Sequence, residues 1–205
     1  MPNDEDIAIT TLEHSDCLCY IRLSLTGSQL EKMATVMTKP FPLLTSLIIH
    51  SMVRDVPVLP GGFLGGSAPC LQEVDLHGVP FPALPTLLLS TSNLITLTLS
   101  MIPPTGYISP ESMVACLAVL PNLKIFTIDF LLATPHPDQI RLPPKARTVL
   151  PALTSFNFQG AYEYLKDLIA QIDSPHLNLI GIDYLDQPDD FQVTQLSKII
   201  DRIAL

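Results

Sequence analysis

One pattern recurs along the chain and governs what it can fold into: Leu-x-x-ϕ-x-ϕ, where ϕ is aliphatic or aromatic and a proline usually stands one or two positions before the leucine. Its copies lead with Leu18, Leu44, Leu71, Leu94, Leu123, Leu153 and Leu177, at steps of 26, 27, 23, 29, 30 and 24 residues. The fourth and sixth positions are Ile21 and Leu23, Leu47 and Ile49, Val74 and Leu76, Leu97 and Leu99, Phe126 and Ile128, Phe156 and Phe158, Ile180 and Ile182. Residues two apart in an extended strand share a face. Each pair therefore points into one interior with its leading leucine, and the residues between point away to solvent. A single such segment cannot bury its own apolar face and needs a like neighbour on each side.

Helical signals fill the gaps. Ser109 and Pro110 read as an N-cap and first helical residue ahead of SMVACLAVL. Leu30, Met33, Val36 and Met37 share one face of SQLEKMATVM, as Leu165, Leu168, Ile169 and Ile172 do in EYLKDLIAQI. Strand and helix alternating at this period imply a parallel sheet. All steps but the longest lie within the range of about 20–29 residues typical of leucine-rich repeats. The expected fold is thus α/β: one leucine-rich-repeat-like solenoid over residues 1–205, of about seven repeats, with its parallel β-sheet on the concave face and helices on the convex face.

Residues 1–17 read as part of a preceding repeat, with a short helix over 5–14, and residues 189–205 as a terminal helix with the stripe Leu196, Ile199, Ile200 and Ile203. Neither end reads as a dedicated cap, so a segment of a longer array is expected. Eight residues after each leading leucine, where an asparagine often forms a ladder, stand Thr26, Met52, Val79, Ile102, Leu131, Ala161 and Leu185. An apolar column is expected in its place, with the turns satisfying their backbone groups by other means. Prolines, 20 in all, crowd the linkers. Residues 133–147 form the longest irregular stretch and are expected to be mobile.

Composition narrows the partners. Hydrophobic residues make up 47% and charged residues 15%, a balance that supports a packed core. A formal charge of −9 repels phosphate, so neither nucleic acid nor an anionic membrane is an expected partner. The start, MPNDEDIAITTLEH, carries acid where a secretory signal carries base, and Cys17, Cys19, Cys70 and Cys116 are too few for a disulfide scaffold. A cytoplasmic or nuclear location with free, buried thiols is expected. Residues 78–110 carry no charge, but prolines at 80, 82, 85, 103 and 104 leave only 86–102 uninterrupted. With Ser90-Thr91-Ser92-Asn93 inside that stretch, a helix followed by a buried strand is expected rather than a membrane span.

The blocks GGSAPCLQEVDLHGVPFPALPTLLL (65–89), IPPTGYISPESMVACLAVLPNL (102–123), RLPPKARTVLPALTSF (141–156) and EYLKDLIAQIDSPHLN (163–178) resemble the repeat region of fungal F-box-like leucine-rich-repeat proteins. The likeness extends from about Ser28 to Arg202 and includes the proline-rich linkers. It implies a substrate-recruiting arm of a ubiquitin-ligase receptor. The F-box that would dock such a receptor on a cullin-ligase adaptor has no counterpart in the 17 residues before the first repeat strand. An adaptor is therefore a partner only if an F-box exists outside this chain.

Within this register the outward residues form the expected protein-binding face: Tyr20 and Arg22, Ser46 and Ile48, Glu73 and Asp75, Thr96 and Thr98, Ile125 and Thr127, Ser155 and Asn157, and then Leu179 and Gly181. The surface is mixed and weakly acidic. His50 and His77 hold one position in adjacent repeats and are expected roughly 5 Å apart, a strand spacing. With Glu73 and Asp75 near them, a metal site or acid–base pair is the alternative to two ordinary solvated histidines. Cys17-x-Cys19 has no second pair to complete a metal site. Gly61-Gly62-Phe63-Leu64-Gly65-Gly66 lacks the Lys-Ser/Thr of a phosphate loop and reads as a flexible turn. Neither Gly-x-Ser-x-Gly nor His-Glu-x-x-His occurs. The expectation is a non-catalytic interaction module without cofactor or metal, whose protein partner the sequence does not name. A truncated remnant without independent function, and a metal-dependent hydrolase at His50 and His77, are the alternatives.

Overall fold

The computed structural model describes residues 10–12, 14–51, 56–132 and 147–185. Seven strands form one parallel sheet: β1 (Tyr20–Leu25), β2 (Ser46–Ser51), β3 (Glu73–His77), β4 (Thr96–Ile102), β5 (Ile125–Phe130), β7 (Ser155–Gly160) and β9 (Leu179–Tyr184). Each pairs with the next in chain order, so the sheet advances in one direction without doubling back. A separate two-stranded parallel sheet joins β6 (Thr148–Val149) to β8 (Ile172–Asp173). The helices are α1 (Gly27–Val36), α2 (Leu84–Leu88), α3 (Pro110–Leu117) and α4 (Tyr162–Gln171). No helix among the described residues is long and apolar enough to cross a membrane.

The strand register is the one the repeat demands. Ile21, Leu47, Val74, Leu97, Phe126, Phe156 and Ile180 align across the sheet, as do Leu23, Ile49, Leu76, Leu99, Ile128, Phe158 and Ile182. From β2 to β7 both columns are essentially inaccessible. They share one core with Leu30 and Met33 of α1, Leu87 and Leu88 of α2, Met113 and Leu117 of α3, and Leu165 and Leu168 of α4. Every helix thus lies against the same side of the sheet, and the other side carries none of them.

The turn before each strand repeats as well. The N–H of each leading leucine from Leu44 to Leu177 donates to the carbonyl three residues back: Phe41, Ala68, Thr91, Leu120, Leu150 and Ser174. Those six residues are all buried. Pro42, Pro69, Pro121, Pro151 and Pro175 follow them, at the second position of a β-turn, which the fixed proline φ favours. In these five turns the proline two residues before the leucine therefore sets the entry angle of the strand, and before Leu94 that position is Ser92.

Just past the leucine, one carbonyl accepts two amides of the following repeat. Cys19 O takes Thr45 and Ser46, Thr45 O takes Gln72 and Glu73, and Gln72 O takes Ile95 and Thr96. Ile95, Lys124 and Thr154 continue the same ladder to Asn178 and Leu179. Past the strands, nearer the position of an asparagine ladder, backbone bonds also link the repeats: Gly78 N–H donates to Ser100 O, Leu131 N–H to Ile102 O and Leu185 N–H to Gly160 O. The apolar column expected eight residues after each leucine does not form. Val79 and Ile102 are buried and Leu131 and Ala161 partly so, but Thr26 and Leu185 are exposed, and Met52 lies outside the described residues. The interior position is one residue earlier, at Leu25, Ser51, Phe130 and Gly160, because the strand keeps its two-residue period to its end. At Gly160 an added Cβ would meet Phe130 Cδ2 at 2.8 Å and a ring carbon of Phe158 at 2.9 Å.

Ser109 caps α3 as expected, accepting from Ser112 N–H at 3.2 Å with Pro110 at the first helical position. The uncharged stretch resolves into α2 and the strand β4, which is buried on one face only, through Leu97, Leu99 and Ile102. β4 carries a bulge after Leu99, where Met101 takes a positive φ of 53°. Thr10 to Leu12 are helical and Leu12 is buried, while His14, expected as the last helical residue, is not helical; residues 5–9 and 13 of the expected N-terminal helix, the expected mobile stretch except Arg147, and the expected terminal helix lie outside the described residues.

Candidate functional site

The helix-free face of the sheet presents three lines of side chains. Tyr20, Ser46, Glu73, Thr96, Ile125, Ser155 and Leu179 form the first, and Arg22, Ile48, Asp75, Thr98, Thr127, Asn157 and Gly181 the second. The expected binding-face residues thus stand side by side in the expected order. Their exposure is uneven. Tyr20 is 54% exposed, Ile125 40% and Leu179 59%, so three large apolar groups project from one line. Ser46 and Ile48, in contrast, are buried at 7% and 9%, and neither is free to take a partner directly. Ser46 Oγ donates to Glu73 Oε2 at 2.7 Å. Ile48 stands between Arg22 and Asp75, whose longer or charged side chains flank it.

A third line, two residues further along each strand, runs through Ser24, His50, His77 and Ser100. Beyond the β4 bulge it resumes as Asp129, Gln159 and Asp183. Of this line the sequence reading singled out only the histidines, although the same two-residue period generates the rest. The His50 and His77 rings are 5.5 Å apart, close to the expected strand spacing. His50 Nε2 lies 3.3 Å from Asp75 Oδ2, and His77 Nδ1 lies 2.9 Å from Ser100 Oγ. Each ring is engaged with a different neighbour. Among the described residues no group of three or more His, Cys, Asp or Glu side chains is placed to hold a metal ion.

At the β5–β9 end the open face sinks into a depression of about 190 Å³ lined by Thr127, Asp129, Asn157, Gln159 and Asp183. Gly181 makes room for it, since an added Cβ would stand 2.5 Å from Asn157 Oδ1. Asp129 Oδ2 accepts from the Met101 N–H at 3.3 Å, so the bulge in β4 aims a backbone donor at a carboxylate one strand away. Burial raises the Asp129 carboxyl above its ordinary value. The Met101 N–H and His77 pull it down, and Asp183 adds to the rise. Carboxylates thus stand on the face in two places, Glu73 and Asp75 on β3 and Asp129 and Asp183 towards the β9 end, with Arg22 on β1.

Two other sequence expectations change. Cys116 is buried and Cys70 partly so, but Cys17 and Cys19 are exposed. They sit in the turn before β1, where no earlier repeat covers them among the described residues; Cys17 Sγ donates to His14 O at 3.3 Å. The glycine-rich turn is anchored rather than loose: Phe63 and Leu64 are buried, and Leu64 N–H donates to Met37 O at 2.7 Å. Gly65 and Gly66 take positive φ there, and a Cβ on Gly65 would meet Pro40 N at 2.5 Å. On the helix side a larger cavity, about 460 Å³, opens between α1 and residues 57–60.

No protein-family model matches the chain, and neither a curated protein nor a solved structure does.

Proposed function

We propose that this chain is a leucine-rich-repeat-type solenoid whose helix-free sheet face binds another protein and catalyses nothing. The observation that carries this reading is that open face: seven parallel strands in unbroken sequential order, with none of the helices α1 to α4 packed over it among the described residues. A stack of units that contact only their neighbours presents an extended surface of this kind, and proteins use it for other proteins. Its side chains suit that role. Isolated apolar groups at Tyr20, Ile125 and Leu179 are spaced among hydroxyls, amides and carboxylates. A mixed polar surface with a few large anchors resembles the composition of protein interfaces.

The likeness of the proline-rich linkers to fungal F-box-like repeat proteins supports a narrower version, in which the face recruits the substrate of a ubiquitin ligase. On that version the ligase adaptor binds elsewhere, through an element outside this chain.

Co-purification from a lysate of the host, quantified by mass spectrometry, tests the reading when the chain is run beside two variants. One carries Thr98→Arg and Thr127→Arg on the open face. The other carries Leu89→Ser, an exposed position at the end of α2. The expected result is a partner lost by the first variant and kept by the second, both with unchanged melting temperature. A partner list insensitive to the open face would remove the reading, and an empty list from folded protein would favour the remnant. Enrichment of the ligase adaptor would show a docking element beyond the repeats.

A further inference from the structure

Among the described residues four carboxylates stand on the open face, and their partners divide them. On β3, Glu73 Oε2 accepts from Ser46 Oγ at 2.7 Å, and Asp75 Oδ2 lies 3.3 Å from His50 Nε2. Both are engaged within the fold. Asp129 and Asp183 are left less complete. Asp129 Oδ2 accepts from the Met101 N–H, but Asp129 Oδ1 is shut away from water with no hydrogen bond among the described residues. Asp183 is exposed on β9, and its carboxylate meets no donor among them. The strand register sets Gln159 directly between these two carboxylates. With Asn157 and Thr127 they line the depression of about 190 Å³ that Gly181 opens, and no lysine or arginine lines it among the described residues. Asp183 adds to the rise of the Asp129 carboxyl, as a like charge held close without a cation does.

We propose that this depression receives one basic side chain, an arginine or a lysine, from the protein that binds the open face. This deepens the protein-binding reading and rests on it. Size, chemistry and charge agree. The volume falls below the roughly 300–1,000 Å³ of a small-molecule site but suffices for the end of one side chain. Asp129 and Asp183 flank it from strands two spacings apart, roughly 9.5 Å between backbones. A guanidinium carries donors on more than one edge and can meet both carboxylates from between them. The side-chain carbonyls of Asn157 and Gln159 are acceptors for its remaining N–H groups. A bare metal ion is less well served, since no group of three His, Cys, Asp or Glu side chains is gathered for one among the described residues. Glu73 and Asp75 compete poorly for the same cation, because Ser46 and His50 already engage them. The formal charge of −9 draws a basic partner towards the chain, and the depression fixes where its cation docks.

Random peptides displayed on phage, selected on the immobilised full chain and then measured singly by fluorescence anisotropy, test the proposal. The selected peptides are expected to share an arginine or a lysine. Replacing that residue by glutamine is expected to weaken binding to the native chain about tenfold or more. The same replacement is expected to change nothing on the double variant Asp129→Asn/Asp183→Asn, which keeps the native melting temperature. Peptides that are lost on Thr98→Arg/Thr127→Arg yet bind without a basic residue would overturn the cation site and leave the protein-binding reading standing. Peptides indifferent to both sets of substitutions, or none selected at all, would remove the two together. A melting temperature lowered by the double variant without any peptide would mean that a cation of this chain already fills the depression, and would overturn the proposal equally.

Discussion

Leu97 and Thr98 are neighbours in β4, yet they belong to opposite sides of the sheet: Leu97 is fully buried and Thr98 stands between Asp75 and Thr127 on the open face. Leu97→Ala is expected to cost about 2–5 kcal/mol, the range for a buried leucine whose cavity cannot collapse, and Thr98→Ala within about 0.5 kcal/mol. Urea denaturation of the two variants measures the contrast, and equal costs would reject the register. Asp129 gives a pH-dependent counterpart. Its carboxyl is raised, first by burial, above the 3.8 of the free group, so folding favours its protonated form. That contribution is fully present below pH 3.8 and is lost as pH rises through the folded-state value. Asp129→Asn is thus expected to compare more favourably with the native chain near pH 7 than near pH 3. Urea midpoints at the two pH values measure this, and a reversed difference would exclude it. The thiols divide just as sharply. Cys116 is buried, donates to Ser112 O at 2.9 Å and is pushed up to about 11, so it is expected to react with a thiol reagent only after unfolding. Cys17 and Cys19 are exposed and are expected to react in the native state.

α3 shows how a short element can be written in full by its own residues. Ser109 accepts from Ser112 N–H, Pro110 pre-sets the first turn, and Glu111 places a negative charge at the positive end of the helix. Ser109→Ala is expected to lower stability by about 0.5–2 kcal/mol, read from the urea midpoint. Elements of this kind were legible in the sequence, and so were all seven strands of the main sheet and their alignment, because a two-residue period fixes which side chains share a face. What stayed hidden depends on neighbours rather than on period. Ile48 has the sequence position of a surface residue and is nevertheless buried, between Arg22 and Asp75 on the neighbouring strands. The bulge at Met101 adds a residue that no spacing rule announces, and it alone brings a backbone N–H to Asp129. β6 and β8 are two residues each and pair with one another across a span that includes β7 and α4, too short a run to show a period.

A sheet built by adding one unit after another has a middle and two ends, and the same substitution does not cost the same in each. Leu99 is closed in by Leu76 on one side and Ile128 on the other, whereas Leu23 pairs, among the described residues, with Ile49 alone and is only partly buried. Both are leucines of one inner column, so truncation to alanine removes the same atoms. Leu99→Ala is expected to cost about 2–5 kcal/mol and Leu23→Ala nearer 1–2 kcal/mol, because the end site is already half open to water. The two variants also differ in how far the loss travels. When each unit contacts only its neighbours, weakening an end lets that end open without the rest, and weakening the centre destabilises units on both sides. Hydrogen exchange separates these outcomes: Leu23→Ala is expected to speed β1 and leave β4 and β5 unchanged, and Leu99→Ala to speed every strand from β3 to β7. A uniform rise across the whole sheet in both variants would mean that the chain opens as one indivisible unit, and the stepwise organisation proposed for it would have to be given up.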